Sequence, residues 1–238
     1  MRKLLMCMCI LCLGHAASDD LKIAVGAGYK KPVLEVLKAY EQTHQGQKIE
    51  AMYGNMAQIF AHAKQMEITL VIADKKFLEK QKELSFVNYE KIGEGIAVIA
   101  YAKGVSFNHI EDLKNEQIKT IAMPEAKKAI YGDAGIEFLN TTKLYESLKD
   151  KLIMVATVPQ VSSYVNTHEV DVGIMNLTAA LDSIDKLGGY IKIPQEYYTP
   201  IEIVAGSLKA CESDKICQEF IAFLKTPKAK EIFVKYGL

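Results

Sequence analysis

The chain has 238 residues, 50% of them hydrophobic and 24% charged, and 29 basic residues balance 29 acidic ones. These proportions fit a globular protein with an ample core, arranged as one large domain or two small ones. The zero balance excludes general nucleic-acid binding, which needs a basic field. A single long apolar run excludes a multi-span membrane protein.

That run opens the chain. Residues 1–17 read as a secretory signal: Arg2 and Lys3 are its positive end and Leu4 to Leu13 its apolar core, too short to span a bilayer. Gly14-His15-Ala16-Ala17 supplies small residues for cleavage. Removal leaves a net charge of −2 and takes away Cys7, Cys9 and Cys12, which are apolar filler. Cys211 and Cys217 remain. In an oxidising compartment a lone pair is most simply a disulfide, worth on the order of 2–3 kcal/mol, with two free thiols as the alternative.

Leu21–Val25 is the first expected strand and Gly26-Ala27-Gly28-Tyr29 a turn. Pro32 opens a helix, with Val33, Val36, Leu37 and Tyr40 on its buried face and Gly46 at its end. Lys48–Tyr53 is a strand, and Asn55 caps a helix over 56–66. The continuous apolar run Ile68–Ala73 reads as a strand buried on both faces, and Asp74 caps the helix after it. Further strands are expected at Gly95–Ala102, Ile118–Ala122, Leu152–Val155, Asp171–Met175 and Ile201–Ala205. Helices are expected near 125–140, 141–149, 160–168, 177–186, 213–225 and 227–236. This alternation implies parallel strands with helical crossovers. No linker divides the chain, so two lobes would be joined by strands passing between them, with Gly95–Ala102 and Ile201–Ala205 as candidates.

In open parallel sheets ligands sit beyond the carboxyl ends of strands, where helix N-termini gather and suit an anion. Gly26 to Lys31 lacks the third glycine of a dinucleotide fingerprint and the Gly-Lys-Ser/Thr of a phosphate loop. It is either a tight strand–helix turn or a ligand-binding turn in which Gly28 admits close approach while Tyr29, Lys30 and Lys31 add a phenol and two cations. Cations at a helix start oppose its dipole, which hints at function. Asn55 and Gln58 repeat this logic after the second strand. The histidines are scattered, with no spacing suited to zinc. Tyr197-Tyr198 reads as an aromatic pair at a strand edge. Nothing nominates a nucleophile with its base, so no enzyme, cofactor or resident metal is expected.

The segments fall in register with one family. Gly26-Ala27-Gly28-Tyr29-Lys30-Lys31-Pro32, Met52-Tyr53-Gly54-Asn55-Met56, Ile72-Ala73-Asp74 and Met123-Pro124-Glu125 match its early turns. Val172-Gly173-Ile174-Met175-Asn176 and the ending from Ala222 to Gly237 match its second half. The chain resembles the periplasmic molybdate-binding (ModA) family of ABC importers. The resemblance implies an α/β, type II two-lobed binding protein, each lobe a mixed sheet flanked by helices, with the ligand cleft between lobes. It implies lobe one at 18–98 plus 204–238 and lobe two at 99–203. A monomer is expected, with a small anion as ligand and an ABC permease as partner.

The family holds a tetrahedral oxyanion with hydroxyls and backbone N–H groups. Its first serine corresponds to Gly28, its second to Met56 with Asn55 before it, and its tyrosine to Asn176. The groups acting through backbone N–H correspond to Ala129 and Val161. Three side-chain donors are replaced, at roughly 1.5–3 kcal/mol each for hydrogen bonds to a charged group. Either the site is rebuilt, with Tyr29, Lys30, Asn55, Gln58 and Ser162 as candidates, or the ligand is another anion or a metal complex. A periplasmic enzyme or accessory protein on the same scaffold is the other alternative. If Lys30 supplies a charge to the ligand, Lys30→Ala weakens binding far more than Lys80→Ala.

Overall fold

The computed structural model describes residues 20–238, so the expected signal at 1–17 lies outside the described residues. The first half of the fold is built from β1 (Leu21–Gly26), α1 (Lys30–Thr43), β2 (Ile49–Gly54), α2 (Met56–Gln65), β3 (Ile68–Asp74), α3 (Lys75–Glu79) and β4 (Phe86–Gly95). The second contains β5 (Ala97–Ala102), β6 (Ile121–Pro124), α4 (Ile130–Thr141), α5 (Tyr145–Leu148), β7 (Leu152–Val155), α6 (Val158–Asn166), β8 (Val172–Asn176), α7 (Leu177–Asp182) and β9 (Leu187–Lys192). The chain then returns to the first half with β10 (Ile201–Leu208), α8 (Lys215–Leu224) and α9 (Pro227–Lys235).

These strands form two five-stranded sheets, ordered β2-β1-β3-β10-β4 and β7-β6-β8-β5-β9. Both are mixed. β1 runs parallel to β2 and β3, whereas β10 runs antiparallel to β3 and β4. Likewise β6 runs parallel to β7 and β8, and β5 antiparallel to β8 and β9. Mixed sheets are what the resemblance implies, and the parallel strands read from the alternation make up only part of each: in each sheet the fourth strand is one that has just crossed from the other half, and it enters reversed.

The cores follow from the apolar patterning. Every residue of β3 is buried, as expected for a strand covered on both faces. α1 turns Val33, Val36, Leu37 and Tyr40 inward at helical spacing. It begins two residues before Pro32. α4 begins at Ile130 instead of near 125, because residues 125–129 first close a turn through Ala129 N–H to the Glu125 carbonyl at 3.0 Å. The helix expected at 141–149 is a single turn at Tyr145–Leu148.

Gly95–Ala102 is not one strand. β4 ends at Gly95 and β5 starts at Ala97 in the other sheet, so the chain passes between sheets at Ile96. Gly95 is required there: a Cβ would lie 2.3 Å from the Tyr131 hydroxyl and 2.6 Å from Ile201 Cγ2. The return passage runs through residues 193–200. Tyr197-Tyr198 belongs to it and not to a strand edge. The Tyr198 hydroxyl accepts a hydrogen bond from Ala97 N–H at 3.0 Å, tying one passage to the other.

Cys211 and Cys217 form a disulfide with Cα atoms 5.5 Å apart, beside the start of α8. Among the described residues no helix is long and apolar enough to cross a membrane.

Candidate functional site

Helices α1, α2, α4 and α6 all start just beyond the carboxyl ends of parallel strands, where such sheets place their ligands. β1 ends at Gly26, and a 3-10 turn, Ala27–Tyr29, leads into α1. β2 ends at Gly54, and Asn55 caps α2 through a reciprocal box. Asn55 Oδ1 accepts from Gln58 N–H at 3.0 Å, and Gln58 Oε1 accepts from Asn55 N–H at 2.9 Å. From the other half, residues 125–129 after β6 lead into α4, and Thr157 after β7 caps α6.

The four starts meet between the two sheets around a small cavity of about 30 Å³. A single water needs roughly 10–15 Å³ by this measure, so the space suits a guest of a few atoms. Its wall contains Gly26, Ala27, Gly28 and Tyr29 from the first turn and Gly54, Asn55 and Met56 from the second. Ala129, Ile130, Tyr131, Thr157 and Val158 complete it from the opposite half. Among the described residues no charged side chain lines it. Each helix start carries the positive end of its dipole, although several of its N–H groups are already taken: Met56 by the Lys128 carbonyl, Gln58 by Asn55 Oδ1 and Gly132 by the Ala129 carbonyl.

Two phenols meet inside. The Tyr29 and Tyr131 hydroxyl oxygens lie 2.7 Å apart across the cleft, and both residues are 2% exposed. One proton lies between the oxygens, and the other is free to be donated. Burial pushes both phenols upward, with the Asp74 carboxylate behind them adding to the shift. They therefore stay neutral donors at physiological pH. Asp74 itself, capping α3, is raised by burial to about 6, against the opposing hydrogen bond from Phe77 N–H.

The sequence candidates separate into two groups. Gly28, Tyr29, Asn55, Met56 and Ala129 converge on the cavity. The Met56 N–H, however, donates to the Lys128 carbonyl across the cleft at 2.8 Å, and the Met56 side chain is buried. Gln58 is exposed and serves the α2 cap. Val161 is buried on the inward face of α6 beside Gly173, with its N–H on the Thr157 carbonyl. Asn176 is fully buried: its Oδ1 caps α7 through Ala179 N–H at 3.0 Å, and its Nδ2 donates to the Gly28 carbonyl at 3.1 Å. Gly28 leaves room for that contact, since a Cβ there would sit 2.9 Å from Asn176 Nδ2.

Lys30 and Ser162 line an outer groove instead. Lys30 is exposed, its ammonium 5.6 Å from the centre of the Tyr53 ring, and Ser162 Oγ is paired with Ser183 Oγ at 2.9 Å.

Sequence reasoning did not single out Ala27, Ile130, Tyr131, Thr157 or Val158, although Ala27 lies within the first candidate turn. Thr157-Val158-Pro159-Gln160 carries a readable signal, a capping residue followed by proline and then glutamine at the third helical position. Tyr131 carries none.

The two halves are held together around the cavity. Besides the phenol pair and Asn176, Lys76 bridges to Asp133 at 3.3 Å and Glu137 at 3.0 Å, and Lys31 pairs with Asp182.

Two mixed sheets joined by paired passages, closing on a small neutral cavity rimmed by helix N-termini, define a two-lobed solute-binding protein. The chain belongs to the family described as "Bacterial extracellular solute-binding protein", which matches residues 21–238. It is 29% identical over 237 residues to the molybdate-binding protein ModA of Rhodobacter capsulatus, covering 93% of this chain and 89% of that one. It is 27% identical over 245 residues to the putative ABC transporter substrate-binding lipoprotein YvgL of Bacillus subtilis strain 168, covering 95% and 91%. The solved periplasmic molybdate-binding protein of Azotobacter vinelandii superposes with a TM-score of 0.82 at 22% identity, covering 92% and 98%.

Proposed function

We propose that this protein is the periplasmic receptor of an ABC importer, capturing a small, fully ionised oxyanion of the molybdate or tungstate type by lobe closure and delivering it to a permease. The observation that carries this reading is the meeting of four helix N-termini, two from each half, on one small cavity without a charged side chain. Each terminus favours a nearby anion by about 0.3–1 kcal/mol at the surface and up to ~2 kcal/mol when partly buried. The spare phenolic proton, the Thr157 hydroxyl and the Asn55 amide supply neutral donors in place of the replaced serines and tyrosine. Both halves contribute donors, so a guest draws them together, which is how binding and closure are coupled.

The lining holds no nucleophile beside a base, which supports binding without chemistry on the ligand. Export through an N-terminal signal and action as a monomer without a cofactor complete the reading. The relatives named for molybdate and for ABC transport support the ligand class and the partner.

Thermal unfolding and calorimetry with molybdate, tungstate, sulfate and phosphate test it. A true ligand at 100 times its dissociation constant adds about 2.7 kcal/mol. Silence across all four anions would overturn the proposal.

A further inference from the structure

The cavity is neutral, yet the ground around it is not. Two open grooves flank it, one of about 750 Å³ that shares Met56 with the cavity and one of about 500 Å³ that shares Ala27 and Gly28. Each groove takes its walls from both halves. The first carries Lys64, Lys80 and Lys127 against Asp133. The second carries Lys30, Lys31 and Lys186 against Asp182. All six lysines are exposed, in a chain whose basic and acidic residues balance overall. Asp133 is engaged by Lys76, and two of the six lysines are themselves paired, Lys31 with Asp182 and Lys64 with Glu83, which leaves Lys30, Lys80, Lys127 and Lys186 as the charges that count. Lys30 and Lys31 also stand at the start of α1, where a cation opposes the helix dipole. Their placement runs against helix stability and toward the cleft.

We propose that these lysines form an electrostatic funnel that gathers anions at the two mouths and feeds the cavity without touching the seated ligand. The division of labour is physical. Donors at contact distance set how long an anion stays. Charges some distance away raise its concentration at the opening and so set how often it arrives, an effect that strengthens on-rates by 10-fold or more and fades with salt. The molybdate arm of the test rests on the oxyanion reading above; the reporter arm does not.

The reporter is Ser163→Cys, an exposed position in the second groove, with the native disulfide left intact. Its rate of reaction with the anionic 5,5′-dithiobis(2-nitrobenzoate) is divided by its rate with the neutral 4,4′-dithiodipyridine. This ratio removes any effect of the lysines on the thiol itself. The comparison is between the native groove and Lys30→Gln, Lys80→Gln, Lys127→Gln and Lys186→Gln combined. At about 10 mM salt the ratio is expected to fall about 5- to 10-fold, and the difference to vanish near 0.5 M, where screening is short-ranged. Equal ratios in the two proteins would overturn the funnel. Stopped-flow tyrosine fluorescence with molybdate is expected to show the same fall in association rate, with dissociation changed less than twofold. A loss confined to dissociation would place the lysines on the ligand and also overturn the funnel. If no oxyanion binds while the reporter ratio still falls, the funnel stands and the oxyanion assignment fails.

Discussion

Asp74 makes a quantitative test of how the cleft floor is balanced. The residue ends β3, is 3% exposed, and caps α3 through Phe77 N–H at 3.2 Å. Burial raises its carboxyl from 3.8 to about 6. The folded protein therefore binds this proton more tightly than the unfolded chain does. Above pH 6 the carboxylate is charged in both states, and its burial costs folding stability. At 1.36 kcal/mol per pKa unit, a shift of about two units corresponds to about 3 kcal/mol. As pH falls through 6 the folded state takes up its proton and the cost shrinks; below about 4 both states are protonated and it is gone. Asp74→Asn keeps an acceptor for the cap while removing the charge. The variant is expected to be more stable by about 2–3 kcal/mol at pH 8, or about 4–12 °C in Tm, and equal to the native protein near pH 4. Urea unfolding at pH 8, 6 and 4 measures the difference. Equal stabilities at pH 8, or an offset that stays constant with pH, would refute the reasoning.

Other residues give further tests. Asn176→Ala removes a cap and leaves the Gly28 carbonyl without its partner, so a loss of about 2–4 kcal/mol in urea unfolding is expected; Asn176→Asp keeps the cap but sets a buried carboxylate against the Gly28 carbonyl, so it is expected to be destabilising as well, and more so as pH rises. Lys76→Ala frees Asp133 and Glu137, so the unliganded protein is expected to open, seen as a larger radius of gyration in X-ray scattering that saturating molybdate reverses. Replacing Cys211 and Cys217 by serine releases a short loop of sequence separation 6 and is expected to cost about 2 kcal/mol, matched by the native protein under reduction.

How much of this was legible depended on range. The Asn55 cap and the buried strand at Ile68–Ala73 were readable because their causes lie within a few residues. Both strands that sequence reasoning missed, β4 and β9, are sheet edges. Their residues are mixed in exposure, so neither alternation nor a continuous apolar run marks them. The mixed sheets followed from the resemblance, whereas the patterning could not say which strands run reversed: a strand that changes sheets has the same composition as one that does not. Resemblance brought Gly28, Met56 and Ala129 to the cavity. It gave no warning that the Asn176 side chain would bond to the Gly28 carbonyl, a contact between residues 148 apart in sequence. Tyr131 was silent for the same reason, since its phenol gains meaning only opposite Tyr29.

The position of β10 has a consequence for how the polypeptide is made. It is the last strand synthesised, yet it lies between β3 and β4 in the interior of its sheet. The segment containing β5 to β9 is contiguous and can assemble as soon as it emerges. The earlier strands must wait with an unfilled gap until residue 208 is released. Completion of the first sheet therefore depends on the chain returning from the other half, and any truncation before residue 201 leaves β3 and β4 without the strand that joins them.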